Sequence, residues 1–363
     1  MIVWLLFLCS ISPIRVYAES FRAVWVVRHE MTSAERVKNV VQKAVGAGLN
    51  TLFVQVRGRG DAYYASSFVP PGESIVDGFD PLQACIDNAR AAGLSVHAWV
   101  NVYLTWYPGR PAPPDHVLST HPELFMISRD GVDLGSPDLT TDLVSRGVEG
   151  RYLSPSHPGV SAHLLRVITE ILEKYDVDGI HLDYVRYPNE HYDFSPLAQS
   201  SFWAAYSQDP PSKKGAETNE WNRWRSEQVT AFVRRAKRVI NRSGRPVRLS
   251  AAVKPDIGSA YTRYGQNWVY WVNRRYLDFV VPMFYTGSID QISGMMKAAR
   301  KYVQKGHIYA GLGAWNQTTN DTLAQIDAAS RAQMDGFSLF SYDTLVNSAD
   351  LHARLSERYG GSR

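Results

Sequence analysis

The run Asp178-Gly179-Ile180-His181-Leu182-Asp183-Tyr184-Val185-Arg186-Tyr187-Pro188 opens as an apolar strand and ends in a carboxylate, a guanidinium and two phenols. Packing alone gives a buried strand no reason to end in such groups. A carboxylate beside cations and aromatic rings suits acid–base or charge-stabilised cleavage at a sugar. Alternation within the strand puts His181 and Asp183 on one side, Ile180 and Leu182 on the other. Asp183 is read as the central acid, kept ionised by Arg186 and serving as nucleophile or as stabiliser of an oxocarbenium-like transition state. The competing account is an Asp–Arg pair that only fixes the loop.

Such cleavage needs a second carboxyl group to protonate the leaving oxygen. Glu30, Asp61, Asp256 and Asp343 all stand at strand ends. Asp256 is favoured, because its strand adjoins that of Asp183 and Lys254 marks the same polar end; Glu30 comes next. Asp61 lies in Arg57-Gly58-Arg59-Gly60-Asp61-Ala62-Tyr63-Tyr64. With Arg57 and Tyr63 it suits a subsite for an anionic or N-acetylated sugar, and a loop-stapling salt bridge explains it equally well. Trp99, Tyr103, Trp106, Tyr285 and Trp315 are candidates for stacking on sugar rings. Asn101, His181, Arg186, Tyr187 and Lys254 complete the polar set, although a histidine inside a strand is more often a hydrogen-bonded core residue. Trp221, Trp224 and Trp268 fall at helical spacing and read as packing.

No metal or cofactor is expected. Strand one ends Val26-Val27-Arg28-His29 without a His-x-His pair, His97 and His181 stand alone in their strands, and no Ser-centred nucleophile elbow occurs.

Eight nearly continuous apolar runs (21–27, 51–56, 95–100, 179–182, 247–253, 279–284, 308–312 and 336–340) carry these residues at their carboxyl ends. Continuous apolarity predicts parallel strands buried on both faces. Helical periodicity separates the runs over 34–47, 81–92, 160–175, 221–241, 268–274, 289–303, 322–334 and 349–359. Eight βα units in one domain predict a (β/α)8 TIM barrel; a doubly wound sheet is the runner-up, but it lacks its Gly-rich phosphate loop. Helix-to-strand turns are short, whereas the connections 57–80, 101–159 and 184–220 after strands two, three and four are long. Long loops on one face predict a working site there.

The net charge of +4 is small and dispersed, with no Lys/Arg run, which argues against nucleic acid. A short apolar stretch followed by Val16-Tyr17-Ala18 reads as a signal peptide over 1–18, leaving a barrel over 19–363 without a stable membrane span. An exported protein, periplasmic, envelope-bound or secreted, is the consequence. Cys85 is then the one remaining thiol, so no internal disulfide can form, and its apolar helical neighbours mark it as inert core.

Several stretches together resemble the glycosyl-hydrolase-like 10 family: residues 21–26, Gly60-Asp61-Ala62-Tyr63-Tyr64, Val96-His97-Ala98-Trp99-Val100-Asn101, Tyr152-Leu153-Ser154-Pro155 before His157-Pro158, 178–188 and 278–285. They follow the family's order over essentially the whole chain after the signal. The resemblance implies an exported (β/α)8 glycosidase-like barrel acting on a polysaccharide. One branch of the family cleaves peptidoglycan glycan strands stripped of stem peptides. By position it carries over Asp183 as the central acid, with Asp61 and Asn101 as site residues. Many relatives have two consecutive acids where Leu182-Asp183-Tyr184 stands, so a mechanism using both does not transfer. The alternatives are a carbohydrate-binding barrel without hydrolysis and a hydrolase of another exopolysaccharide.

Overall fold

The computed structural model describes residues 20–212 and 218–361; the signal reading over 1–18 lies outside them. Its main strands are β1 (Phe21–Val26), β2 (Thr51–Arg57), β3 (Ser95–Asn101), β4 (Gly179–Asp183), β5 (Arg248–Val253), β6 (Phe279–Phe284), β7 (Ala310–Gly313) and β8 (Gly336–Phe340). Each runs parallel to its neighbours. Because β1 pairs with both β2 and β8, and β6 with β7, the sheet closes on itself. Helices lie between the strands, so the expected (β/α)8 barrel is the fold.

Alternation sends one set of side chains from each strand inward. At the lower end Phe21 stacks on Tyr309 with ring centres 3.9 Å apart, and Phe279 lies 5.4 Å from Phe21. Gly179 leaves room for His97, whose Nδ1 would stand 2.1 Å from a Cβ placed there. One layer higher, the Trp25 indole N–H donates to His181 Nε2 at 3.1 Å and Phe53 stacks on the same imidazole at 4.0 Å. Nε2 being an acceptor, Nδ1 carries the proton and donates to Ser250 Oγ at 2.9 Å. Burial, aided by the nearby His97, pushes the His181 pKa well below its ordinary value. His181 is therefore a neutral pin of the barrel interior.

The outer faces of the strands are covered by amphipathic helices. In Ala34–Gly46 the buried residues Val37, Val40, Val41 and Ala44 recur at helical spacing, each burial stabilising by roughly 1–3 kcal/mol. Asp80 caps Pro81–Ala91 by accepting from Gln83 N at 3.1 Å, and Cys85 in that helix is buried, its thiol pushed up to about 12 by desolvation. Trp268 is fully buried as expected, and Trp221 and Trp224 stack on each other at 5.0 Å. They pack with Phe202 of the helix Pro196–Tyr206, which the apolar pattern did not announce.

Four side chains tie the lower rim together. The residue just before each even-numbered strand accepts a backbone N–H from the strand before it or, for β7, from Ile308 just ahead of that strand. Asn50 takes Arg22 N at 2.9 Å, Asp178 takes Val96 N at 2.7 Å, Asp278 takes Leu249 N at 2.7 Å and Asp335 takes Ile308 N at 2.8 Å. These polar residues satisfy backbone donors that would otherwise be unpaired at strand starts. Among the described residues no helix is long and apolar enough to cross a membrane.

Candidate active site

A cavity of about 550 Å³ opens at the carboxyl ends of the strands, within the size range of small-molecule sites. Trp99 and Asn101 of β3, Asp183 of β4, Lys254 beyond β5, Tyr285 beyond β6 and Trp315 beyond β7 line it. The long loops add Arg59, Glu149, Tyr184 and Arg186, and the end of β1 adds Arg28. The expected face is thus the one that carries polar groups.

Asp183 stands on the inward side of β4 above His181 and is 8% exposed. Its Oδ1 accepts the backbone N–H of Tyr184 at 2.7 Å. Tyr184 takes a left-handed backbone (φ 48°) to make this turn, a conformation that costs a non-glycine residue of order 1 kcal/mol. Desolvation is the largest influence on the carboxyl and raises it to about 6; the Tyr184 amide, Arg186, Lys254 and Trp99 oppose this with smaller effects. Arg186 acts on Asp183 in the expected direction, but burial outweighs it and Arg186 makes its direct contact elsewhere.

That engagement is with Glu149, a residue the strand-end reading passed over. Arg186 Nη2 donates to Glu149 Oε1 at 2.7 Å, and the Tyr152 hydroxyl donates to Oε2 at 2.7 Å. Burial acts to raise the Glu149 carboxyl, but Arg186 and Tyr152 outweigh it and hold the group below its ordinary value. A short antiparallel pairing of Leu104–Trp106 with Arg151–Tyr152 places Glu149 over the cavity. Arg186 itself lies over the rings of Tyr184 and Tyr264, at 4.8 and 5.3 Å. Lys254 is brought down to about 8 by burial and then by Arg186, and its ammonium sits 4.9 Å from the centre of the Tyr264 ring.

Aromatic walls complete the cavity. Trp315 is half exposed and meets Tyr285 edge-on at 4.8 Å. Gly313 makes that pair fit, since a Cβ there would stand 2.4 Å from the Trp315 ring. Trp99 Nε1 donates to Asn101 Oδ1 at 2.9 Å, and Asn101 Nδ2 donates to Gly58 O at 2.8 Å, which fixes the floor.

Other candidates lie away from the cavity. Asp256 is exposed and caps the helix Ile257–Thr262, accepting from Ser259 N at 2.7 Å. Glu30 sits in the one-turn helix Arg28–Met31 between Arg36, at 3.4 Å, and His29, at 3.6 Å. Asp61 accepts from the amides of Gly58 and Arg59 at 3.1 and 2.7 Å, a loop staple made with backbone rather than with a salt bridge. Tyr63 lies against Gly72 and donates to Glu73 O at 3.3 Å. Tyr103 packs on Phe232 and Tyr187 lies under Arg225. Trp106 is buried and bonds Arg110 O at 2.7 Å. A register shift between Gln55 and Arg57 pairs Arg57 with Val100 and turns it off the inward face. There it donates to the carbonyls of Asn101 and Val102. His181, in the layer beneath Asp183, supports the floor and does not line the cavity.

The model of the family described as glycosyl hydrolase-like 10 matches residues 20–325. Glycosyl hydrolase DigH of Escherichia coli K12 is 26% identical over 268 residues, 66% of this chain and 55% of that protein. The chain thus spans about half the length of that relative. The glycoside hydrolase domain of PgaB (BpsB) from Bordetella bronchiseptica superposes with a TM-score of 0.69 at 15% identity, covering 93% of this chain and 98% of that domain. Alpha-L-fucosidase isoenzyme 2 from Paenibacillus thiaminolyticus gives 0.66 at 14% identity, covering 94% of this chain and 49% of that one. At these identities the two superpositions are likenesses of fold.

Proposed function

The chain belongs to the glycosyl hydrolase-like 10 family, and we propose that its barrel hydrolyses glycosidic bonds in a cell-wall amino-sugar polymer, foremost in peptide-free peptidoglycan glycan strands. One observation carries the reading. Two carboxyl groups, Asp183 and Glu149, line the same cavity, and their surroundings push their proton affinities in opposite directions. Carboxyls separated in this way are suited to divide the roles of acid and base.

Asp183 is the proton donor in this account. Its desolvated carboxyl holds a proton at mildly acidic pH and passes it to the glycosidic oxygen as the bond to the anomeric carbon breaks. Glu149 stays ionised and serves the positive charge that develops on the sugar, or the water that replaces the leaving group. The nucleophile role expected of Asp183 moves to the other carboxylate, because Arg186 and Tyr152 favour the ionised form of Glu149 while burial favours the protonated form of Asp183. Trp315, Tyr285 and Trp99 offer ring faces and edges for the sugars. Export through residues 1–18 would bring the protein to such a polymer.

The test is product analysis on peptide-free glycan strands, with chitin, starch and a bacterial exopolysaccharide alongside. New reducing ends from the glycan strands support the proposal. Binding without new reducing ends overturns it in favour of a carbohydrate receptor. Cleavage of another polymer alone keeps the chemistry and replaces the substrate.

A further inference from the structure

The cavity carries more positive charge than its two carboxyl groups can balance. Arg28, Arg59, Arg186 and Lys254 line it against Asp183 and Glu149 alone. Arg186 is spent on Glu149, and Lys254 lies over a tyrosine ring. Arg28 and Arg59 have no carboxylate partner among the described residues: their bonds go to the Gln55 amide and the Tyr107 hydroxyl in one case and to the Glu149 carbonyl in the other. Both guanidinium groups flank the Tyr107 ring, at 5.9 and 4.5 Å from its centre. The Arg59 Nε–H is buried without an acceptor.

Two half-buried guanidinium groups held around one phenol repel each other and forgo part of their hydration. Such a pair is relieved by an anion that takes several of its N–H donors at once, for which a planar carboxylate is the best-shaped partner. The Gln55 amide, which accepts from both the backbone and the side chain of Arg28, fixes that arginine in place before any ligand arrives. Arg59 is held by its loop, in which Asp61 accepts the Arg59 amide.

We propose that Arg28 and Arg59 form a carboxylate-reading subsite of the cavity, and that the glycan it takes carries a free carboxylate on the sugar bound there. This rests on the glycan-binding part of the proposed function. The carboxylate belongs either to a uronic acid ring or to a lactyl ether on an amino sugar; amidation of the latter would remove the charge the subsite reads.

The experiment measures binding by Asp183→Asn protein, chosen because the proposed function expects it to hold substrate without turning it over, to four oligosaccharide probes of matched length. These are a uronate oligomer, a lactyl-ether amino-sugar oligomer, the same lactyl oligomer with its carboxylates amidated, and neutral chitin oligomers. At least one carboxylated probe should bind ten- to a hundredfold more tightly than the amidated and neutral ones, and which of the two does so identifies the source. Arg59→Gln, and separately Arg28→Gln, should abolish most of that difference while changing neutral binding about twofold or less. Equal affinity for charged and neutral probes overturns the proposal without recourse to any arginine variant. A folded Arg59→Gln protein that loses charged and neutral binding alike overturns it too. Carboxylate-selective binding in a wild-type protein that cleaves none of the probes would sustain the subsite while sinking the hydrolase reading. Cleavage of glycans without regard to charge would do the reverse.

Discussion

Arg186 Nη2 meets Glu149 Oε1 at 2.7 Å, and this pairing leaves Asp183, three residues earlier in the chain, to be governed by its burial. The guanidinium holds Glu149 ionised through direct contact, whereas at Asp183 it only moderates the rise to about 6 that burial drives. Removing it should raise both carboxyls, Glu149 the more because it loses a hydrogen bond as well. Arg186→Met is expected to cost two or more decades of kcat/KM and to raise the Glu149 pKa, because a half-buried carboxylate loses its partner. Carboxyl titration by NMR would follow the second effect.

The pH dependence follows from the same two groups. Activity needs Asp183 protonated and Glu149 ionised. A profile of kcat/KM should therefore fall above about 6, where Asp183 loses its proton, and fall again at acid pH as Glu149 gains one. A flat profile between pH 5 and 8 would contradict the assignment of Asp183 as donor.

The same ionisation should set how stability depends on pH, lowering it in the range where activity falls. Burial lifts the Asp183 carboxyl from 3.8 to about 6, so the native state binds the proton more tightly than the unfolded chain. Ionised Asp183 costs stability above about pH 6, and that cost disappears below about pH 4. Asp183→Asn, which keeps an acceptor for the Tyr184 amide, should raise the Tm at pH 7 and change it much less at pH 4. The gain at neutral pH is on the order of 2 kcal/mol.

Asp256 and Glu30 supply the contrast. Asp256→Ala removes a helix cap and should lower stability by about 1 kcal/mol while leaving kcat within about twofold. Glu30→Gln, away from the cavity, should also leave turnover near wild type. Glu149→Gln should lower it by about three decades. Turnover measured on the three variants under identical conditions distinguishes these carboxyls.

The lower rim offers a test of the fold itself. Asp278→Ala removes the acceptor of Leu249 N and the partner of Lys237. An N–H left unpaired at a strand start costs about 1–3 kcal/mol, so Tm should fall by several degrees with kcat unchanged.

Nearly continuous apolar runs, which follow from burial on both faces, and short helix-to-strand turns were enough to read the barrel. Asp183 was legible from a different signal: alternation within the strand places it inward and a carboxylate belongs at the mouth. Strand-end reading failed where local geometry intervened. The bulge at Gln55–Arg57 turned Arg57 outward. Beyond Pro255 the chain starts a helix, so Asp256 became its cap, a role that the Asp256-Ile257-Gly258-Ser259 spacing does signal. Glu149 had no such signal, because it reaches the cavity from far along a loop through the pairing of Arg151–Tyr152 with Leu104–Trp106. Its proximity to the Tyr152-Leu153-Ser154-Pro155 motif was the nearest available hint. The Asn and Asp residues before the even-numbered strands were visible as polar turn residues, but their shared role as rim acceptors required the register.

The central claim is that Asp183 delivers the proton that breaks a glycosidic bond, and release of reducing ends by wild-type and Asp183→Asn protein tests it most directly. On the glycan that the wild type cleaves, at about pH 5, the account predicts a fall of roughly three decades or more in rate for the folded variant. Undiminished cleavage by folded Asp183→Asn protein would contradict it.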